Sequence, residues 1–261
     1  MDCKEVGMFK EYIREFTDDE MIMRAWDKEI IMDQTGRLVI WWGSGLRERI
    51  VDELYVNQPE NAKDASFATN TGFYVGLDEV RRHLVNEYRE KCVSQKEKYI
   101  KAGVDYATDG IGMCSMHSAT TPVLFVADDG KSAKVLVYDL GMSAEGSPDG
   151  SAKCYHEVGL LLIEFLKEDG QWKIWHLVEE HDFTIEAGRD YNEVPTIIRP
   201  EDDPGRKDFG DPTIKKDVYD NIFGWEYLFY DMPAPYKTYE EERGYGPNGK
   251  VGRKYYERIY G

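Results

Sequence analysis

The chain has 261 residues, of which 41% are hydrophobic and 32% are charged. This length suits one large domain or a domain with an extension, and the apolar content suffices for a buried core. A net charge of −17 would repel a phosphate backbone or an anionic membrane surface, which argues against nucleic-acid and membrane partners. The sequence also contains no apolar run long enough for a transmembrane helix.

The N-terminus, residues 1–5, lacks the basic and apolar segments of a signal peptide, so we expect a cytoplasmic protein. No phosphate-binding glycine loop, nucleophile elbow or metal signature occurs, and we therefore expect neither a cofactor nor a metal. Four widely spaced cysteines form no C-x-x-C pair and fit reduced thiols: Cys3, Cys92, Cys114 and Cys154.

Helical spacing dominates the first part of the chain. It predicts a short helix over residues 3–16 and then a capping box, Thr17 to Glu20, that begins a helix running to about Met32. The predicted inward face of this helix is mostly apolar and ends in a carboxylate: Ile22, Trp26, Glu29, Ile30 and Asp33. Asp33 would therefore be an expensive group to bury.

The segment that follows is less regular. Residues 38–42 fit either a continuation of the helix or a strand, and residues 43–71 are typical of a polar surface insertion. A short strand is predicted over 73–76, and Asp78 can begin a helix through about Ser94.

Further along, the hydrophobic period changes to two. Strands are predicted at 122–127, 132–140, 155–166 and 171–178, with a loop over 141–152. Helices followed by an antiparallel meander predict an α+β domain with helices on one face of a curved sheet.

Residues 187–261 contain seven of the ten prolines and many tyrosines. We divide the chain into a domain over 1–186 and an extension over 187–261 that wraps the domain or a neighbouring subunit. One amphipathic helix is predicted within the extension: Ile214, Val218, Ile222, Trp225 and Phe229.

Four ordered segments resemble SnoaL-like members of the nuclear transport factor 2-like superfamily, over about two-thirds of the chain: 31–34, 74–80, His117 with 123–128, and 165–174. The resemblance implies a cone of bent antiparallel strands whose wide end is closed by helices over a pocket. It also implies a dimer or trimer formed through the outer sheet face. Family enzymes include scytalone dehydratase, bile-acid 7α-dehydratase, hexachlorocyclohexane dehydrochlorinase and ketosteroid isomerases.

In the dehydratase branch, an aspartate at the end of the first long helix orients a histidine on a facing strand. By motif these are Asp33 and His117 in this chain. An imidazole suits general-base work near neutral pH, and a buried carboxylate holds its tautomer. We therefore predict a dyad that removes a proton α to a carbonyl or beside a leaving group. The alternative is that Asp33 bonds a neighbouring loop and His117 is a structural histidine.

Other candidates are weaker. His176 would share an inward strand face with apolar residues, as a second acid–base group or, as we favour, a core histidine. His156 could match the second histidine of scytalone dehydratase, and Tyr74 or Tyr138 could donate a hydrogen bond to an enolate. His181, where we expect the last strand to end, and His83, on a solvated helix face, would be bystanders.

These features predict a cofactor-independent lyase or isomerase, dehydratase-like, acting on a hydroxylated ring of polyketide or steroid type. The many aromatic residues fit a pocket for an apolar ring ligand. Two alternatives stay open: a non-catalytic binding protein in which Asp33 and His117 do not touch, and an oligomeric assembly subunit that docks partners through residues 187–261.

Overall fold

The computed structural model describes residues 14–105, 112–190, 197–198, 210–215, 219–220, 236–239 and 244–247. The helices precede the long strands of the chain: α1 (Asp18–Gly43), α2 (Arg47–Arg49) continuing as a π-helix (Ile50–Leu54), α3 (Pro59–Ala62), α4 (Leu77–Arg81) continuing as a π-helix (Arg82–Glu87), and α5 (Tyr88–Lys101). Within the described part of the chain, none of these helices is long and apolar enough to cross a membrane.

Helix α1 begins at the predicted capping box. The backbone N–H of Glu20 donates to the Thr17 hydroxyl, and the Glu20 carboxylate accepts from the backbone N–H of Thr17 at 2.9 Å. The helix then runs to Gly43, well beyond the predicted end at Met32, so residues 38–42 continue the helix. Gly36, which the sequence offers as a stop four residues beyond the predicted end, does not end the helix. The helix continues for as long as its side chains pack on the sheet.

The buried face of α1 differs from the predicted one. Ile22 and Trp26 are 66% and 63% exposed, whereas the residues that lie against the sheet are Asp27, Ile31, Thr35, Leu38 and Trp42. The helix carries two stripes with apolar residues, and periodicity alone does not say which of them packs on the sheet. The buried stripe is the one whose carboxylate, Asp27, accepts hydrogen bonds from Trp172 Nε1 and Lys167 Nζ, both at 2.8 Å.

Four long strands form the body of the sheet: β3 (Met113–Val126), β4 (Ser132–Gly146), β5 (Ala152–Glu168) and β6 (Gln171–Glu186). Shorter strands are β1 (Ser66–Thr69), β2 (Gly72–Val75) and β8 (Ile214–Lys215), and a separate pair is formed by β7 (Ile197–Ile198) and β9 (Tyr219–Asp220). The sheet order is β3-β4-β5-β6-β1-β2-β8, antiparallel except where β1 pairs parallel with β6. The predicted α+β class with an antiparallel meander is confirmed.

Several predicted boundaries were wrong because the strands are longer than their apolar cores. β3 begins at Met113, so His117 lies within the strand and not before it. β4 continues to Gly146 through the first half of the predicted loop at 141–152. The polar residues at these strand ends line a cavity, and a search for apolar alternation misses them.

Residues 43–71 are not a surface insertion. The side chains of Ile50, Tyr55 and Phe67 are fully buried, and they belong to the main hydrophobic core between the helices and the sheet. Polar residues interrupt the apolar ones in this segment, because short helices and a strand each bury only one face.

A bulge between β5 and β6 changes which way the side chains of β6 point. The pairing moves from Phe165–Ile174 to Glu164–His176, so the alternation breaks between Ile174 and His176. Ile174 lies in the core under the helices. His176 pairs with Glu164 instead, on the opposite face of the sheet, where Tyr245 N–H donates to the Glu164 carboxylate.

Three described parts of the 187–261 extension pack on the domain of the same chain. β8 pairs with β2, the Tyr236 hydroxyl lies 3.1 Å from Ser132 Oγ, and the segment at Gly244–Gly246 covers Glu164 and His176. Ile214 of the predicted amphipathic helix lies in β8, and the other four positions of that helix fall outside the described residues, as do residues 3–13 of the first predicted helix.

Replacing Asp27 by alanine should lower the free energy of unfolding by about 2–3 kcal/mol, because Trp172 and Lys167 then lose a charged acceptor. Asp33→Ala is the matched control on the same helix, since Asp33 is exposed and its loss should cost less than about 1 kcal/mol. Urea unfolding of both variants measures this difference. Equal stabilities would contradict the anchoring of α1 through Asp27.

Candidate active site

A cavity of about 300 Å³ lies where the end of α1 and the start of α2 meet the inner face of the sheet. Its walls combine four aromatic side chains with ionisable ones. The aromatic residues are Trp42, Tyr74, Tyr88 and Tyr155, and the ionisable ones are Arg47, His83, Lys91, Cys114, His117, Glu145, Glu157, Glu179 and His181. We call this cavity the pocket.

The end of α1 reaches the pocket because its last residue is a glycine. A Cβ at Gly43 would lie 2.8 Å from the backbone oxygen of Ser115, so no larger residue fits without moving the strand. This approach brings the Trp42 ring to 5.2 Å from the His117 ring, measured between centroids. Trp42 thus covers the imidazole from the helix side.

His117 forms the centre of a hydrogen-bonded row. Its Nδ1 lies 2.9 Å from Asp139 Oδ2, and its Nε2 lies 3.1 Å from Ser115 Oγ. Ser115 and His117 share the inward face of β3 because they are two residues apart. On β4, Val135, Val137 and Asp139 follow the same period. The carboxylate is therefore a continuation of the core-facing row.

Opposing effects act on the charge of His117. Burial disfavours the imidazolium, but the hydrogen bond to Asp139 and the charges of Glu179, Asp139 and Glu157 outweigh burial and raise the pKa of His117. Asp139 thus holds the ring in one orientation and favours its protonated form.

A second ion pair lies beside the first. His181 Nε2 is 3.4 Å from Glu179 Oε1 and 4.0 Å from Glu157 Oε2, while Ser143 Oγ donates to Glu157 at 2.7 Å. Burial opposes both charges, but the pair outweighs it: Glu179 raises the pKa of His181, and His181, with His117 and Arg47, lowers the pKa of Glu179. His181 is thus a proton donor at neutral pH.

His83 lies on the opposite wall and is not solvated as predicted. Its ring stacks on Tyr74, with 3.9 Å between centroids, and its Nδ1 lies 3.0 Å from Glu87 Oε2. Burial lowers the pKa of His83 more than Glu87 raises it. Tyr74 lines the pocket, and its hydroxyl donates to the Gly210 carbonyl at 3.2 Å.

The structure does not bring Asp33 to His117. The Asp33 carboxylate is 61% exposed and accepts from Arg37 Nε at 2.7 Å, on the solvent side of α1. The reason is helix length: because α1 continues to Gly43, Asp33 lies well before the helix end that meets β3. Asp139, on the neighbouring strand, is the carboxylate that holds His117.

His156, His176 and Tyr138 lie outside the pocket. His156 is exposed, on the strand face opposite the pocket-lining Tyr155 and Glu157. His176 is buried behind the sheet, 2.9 Å from Ser66 Oγ, and burial lowers its pKa to about 3. Tyr138 is exposed, beside the inward Asp139.

Sequence reasoning missed most of the ionisable lining. Alternation within each strand could have found it, because Asp139 continues an inward row on β4 and Glu179 and His181 continue the row of Leu177 on β6. Arg47 had no such signal, since it lies in the segment interpreted as a surface insertion.

Among the described residues, one group could hold a metal ion. His117, Asp139 and Glu179 offer ligand atoms that all lie within 4.8 Å of one another. A divalent cation there would take the place of the proton between His117 and its carboxylates, since Nδ1 faces both.

No family model matches the chain, and no curated protein does. Among solved structures, it is similar to a hexachlorocyclohexane dehydrochlorinase, LinA-type3, from Novosphingobium barchaimii, with 15% identity over 64% of this chain and 95% of that one, at a TM-score of 0.44. An NTF2-like protein with a cystatin-like fold from Novosphingobium aromaticivorans matches with 15% identity over 65% and 91% of the two chains, at a TM-score of 0.43. Proteins of the nuclear transport factor 2-like class, which the sequence resembles, are thus among the structures that this chain is similar to.

The histidines should titrate differently in an NMR experiment. We expect the His117 ring to lose its proton above about pH 6.5, the ordinary histidine value, and at lower pH in Asp139→Asn. His176 should stay neutral until the pH approaches 3. Because its folded pKa is raised, protonated His117 stabilises the fold at low pH, and this contribution disappears as the pH rises through that pKa. An unchanged His117 pKa in Asp139→Asn would contradict the pairing.

Proposed function

We propose that the pocket is the active site of a cofactor-independent acid–base lyase or isomerase, dehydratase-like, acting on a hydroxylated ring compound. The observation that carries this proposal is the buried hydrogen bond between His117 and Asp139 inside an open cavity. The cavity volume is within the range of small-molecule sites, and its aromatic walls suit a flat apolar ring.

In the proposed reaction, neutral His117 donates its Nδ1 proton in a hydrogen bond to Asp139 and presents Nε2 to the substrate. Nε2 accepts the proton from a carbon, the electron pair of that C–H bond forms the new double bond, and the C–O bond of the neighbouring hydroxyl breaks. His181, protonated beside Glu179, supplies a proton to the leaving hydroxide, so that water departs. His117 then returns its proton to His181 through the released water.

This function is tested by screening hydroxylated ring compounds for loss of water, detected by mass spectrometry. With a substrate found, His117→Ala should lower kcat by roughly a hundredfold to ten-thousandfold, the usual contribution of a general base. Asp33→Ala should leave kcat unchanged, because Asp33 faces solvent. Retained turnover in His117→Ala would refute the mechanism, and loss of activity in Asp33→Ala would restore the dyad expected from the sequence.

The pH profile is a separate test. Because Asp139 raises the pKa of His117, the activity of the wild type should rise with pH through a value above about 6.5. In Asp139→Asn this limb should move to lower pH and the maximal rate should fall, since an amide no longer stabilises the imidazolium or fixes its tautomer. If the rising part of the pH–activity curve stays at the same pH in Asp139→Asn, a group other than His117 controls the activity.

Dialysis against a chelator should leave the activity unchanged, because the proposed steps need no metal.

The row Ser115–His117–Asp139 favours a second candidate, a serine hydrolase. Distances of 3.1 and 2.9 Å match a nucleophile, its base and the group that orients the base. Ser115 Oγ would attack a carbonyl carbon while His117 takes its proton and passes it to the leaving alcohol. Water, deprotonated by His117, would then cleave the acyl group from Ser115 and return the serine hydroxyl.

Ser115→Ala separates the two candidates. A lyase should keep its activity within a few fold, whereas hydrolysis of p-nitrophenyl acetate by a serine nucleophile should be abolished. Binding of ring compounds without either reaction would indicate the alternative of a non-catalytic binding protein.

A further inference from the structure

We propose that Arg47 forms an anion subsite in the pocket and that the natural ligand carries a carboxylate on its ring. The anion subsite rests on the proposed function and adds a class of substrate to it. Because the subsite concerns ligand binding, it can be tested without any catalytic turnover.

Arg47 is a buried cation between two aromatic rings. Its side chain lines the pocket at 9% exposure, and its guanidinium carbon lies 3.8 Å from the centre of the Tyr88 ring and 5.1 Å from the centre of the Trp42 ring. The rings hold the guanidinium by cation–π attraction without satisfying its N–H groups. The two rings therefore orient the Arg47 guanidinium but leave its N–H groups available to a ligand.

Within the described residues, Arg47 has neither a hydrogen bond nor an ion pair within 4 Å, and its Nε atom is fully buried without a partner. Every other arginine of α1–α5 and their π-helical continuations has an oxygen partner: Arg24, Arg37, Arg49, Arg81, Arg82 and Arg89. All of those arginines are more exposed than Arg47. The one buried guanidinium is thus the one left without an oxygen acceptor, although burial makes the lack of an acceptor most costly.

The other cations of the pocket already have carboxylate partners. His117 is paired with Asp139, His181 with Glu179 at 3.4 Å, and Lys91 lies 3.7 Å from Glu145. Glu179 influences Arg47 only through its charge, at a distance beyond an ion pair. A ligand that brings its own negative charge would therefore meet Arg47 as its partner among the pocket cations of the described chain.

The chemistry of the guanidinium narrows the ligand. Its planar N–H groups match the two oxygens of a carboxylate, and the flanking Trp42 and Tyr88 rings suit an aromatic or alicyclic ring bearing that group. A ring carboxylate bound there would lie in the same cavity as Nε2 of His117.

The test compares benzoate with benzamide, which has nearly the same shape and no charge. Isothermal titration calorimetry at neutral pH should give a dissociation constant for benzoate that is roughly tenfold to a hundredfold lower than for benzamide, the range expected for charge-assisted hydrogen bonds. The preference should vanish in Arg47→Met and persist in part in Arg47→Lys. Arg49→Met is the matched control, since Arg49 lies two residues on, is exposed and is paired with Glu53.

Benzamide binding by Arg47→Met shows that this variant retains a folded pocket. His117→Asn should keep the benzoate preference, which separates the anion subsite from the proposed chemistry even if no turnover is found. The proposal is overturned if the wild type does not prefer benzoate, if Arg47→Met keeps the preference, or if His117→Asn abolishes it.

Discussion

The pocket depends on charge compensation between neighbouring side chains of the sheet. His117 is bonded to Asp139, and His181 is paired with Glu179, so each buried carboxylate faces an imidazole. A buried charge without such a partner would cost several kcal/mol and would favour either neutral groups or a collapsed site. Compensation allows His117, His181 and Glu179 to line an open cavity, with Asp139 behind His117, and it raises the pKa of both imidazoles.

The same strands form the hydrophobic core and the pocket. On β4, the inward row passes from Val135 and Val137 to Asp139. On β6, it passes from Leu177 to Glu179 and His181. Because β4 pairs with β5 in one unbroken register from Ser132 to Gly146, the packing that stabilises the core also holds Asp139 in place. Such rigid positioning is what acid–base chemistry requires, since a general base must lie within hydrogen-bonding reach of its proton.

The back of the sheet is closed by residues far away in the sequence. Leu160 and Leu162 of β5 are buried in a second cluster that includes Tyr245 of the extension. Glu164 and His176 lie under the same segment, which explains why a histidine and a carboxylate near the middle of the sheet take no part in the pocket. The segment at 244–246 therefore covers the sheet on the face opposite the site.

Local signals determined much of the architecture without any structure. The capping box at Thr17 acts over a few residues and fixes the start of α1. His117 was a candidate through the family resemblance, and it lies in a part of β3 that apolar alternation does not predict. The partner of His117 could not be read in this way, because Asp33 and Asp139 are both carboxylates that sequence patterns allow. Only the length of α1 and the register of β3 on β4 decide between them, and both arise from packing between residues distant in the chain.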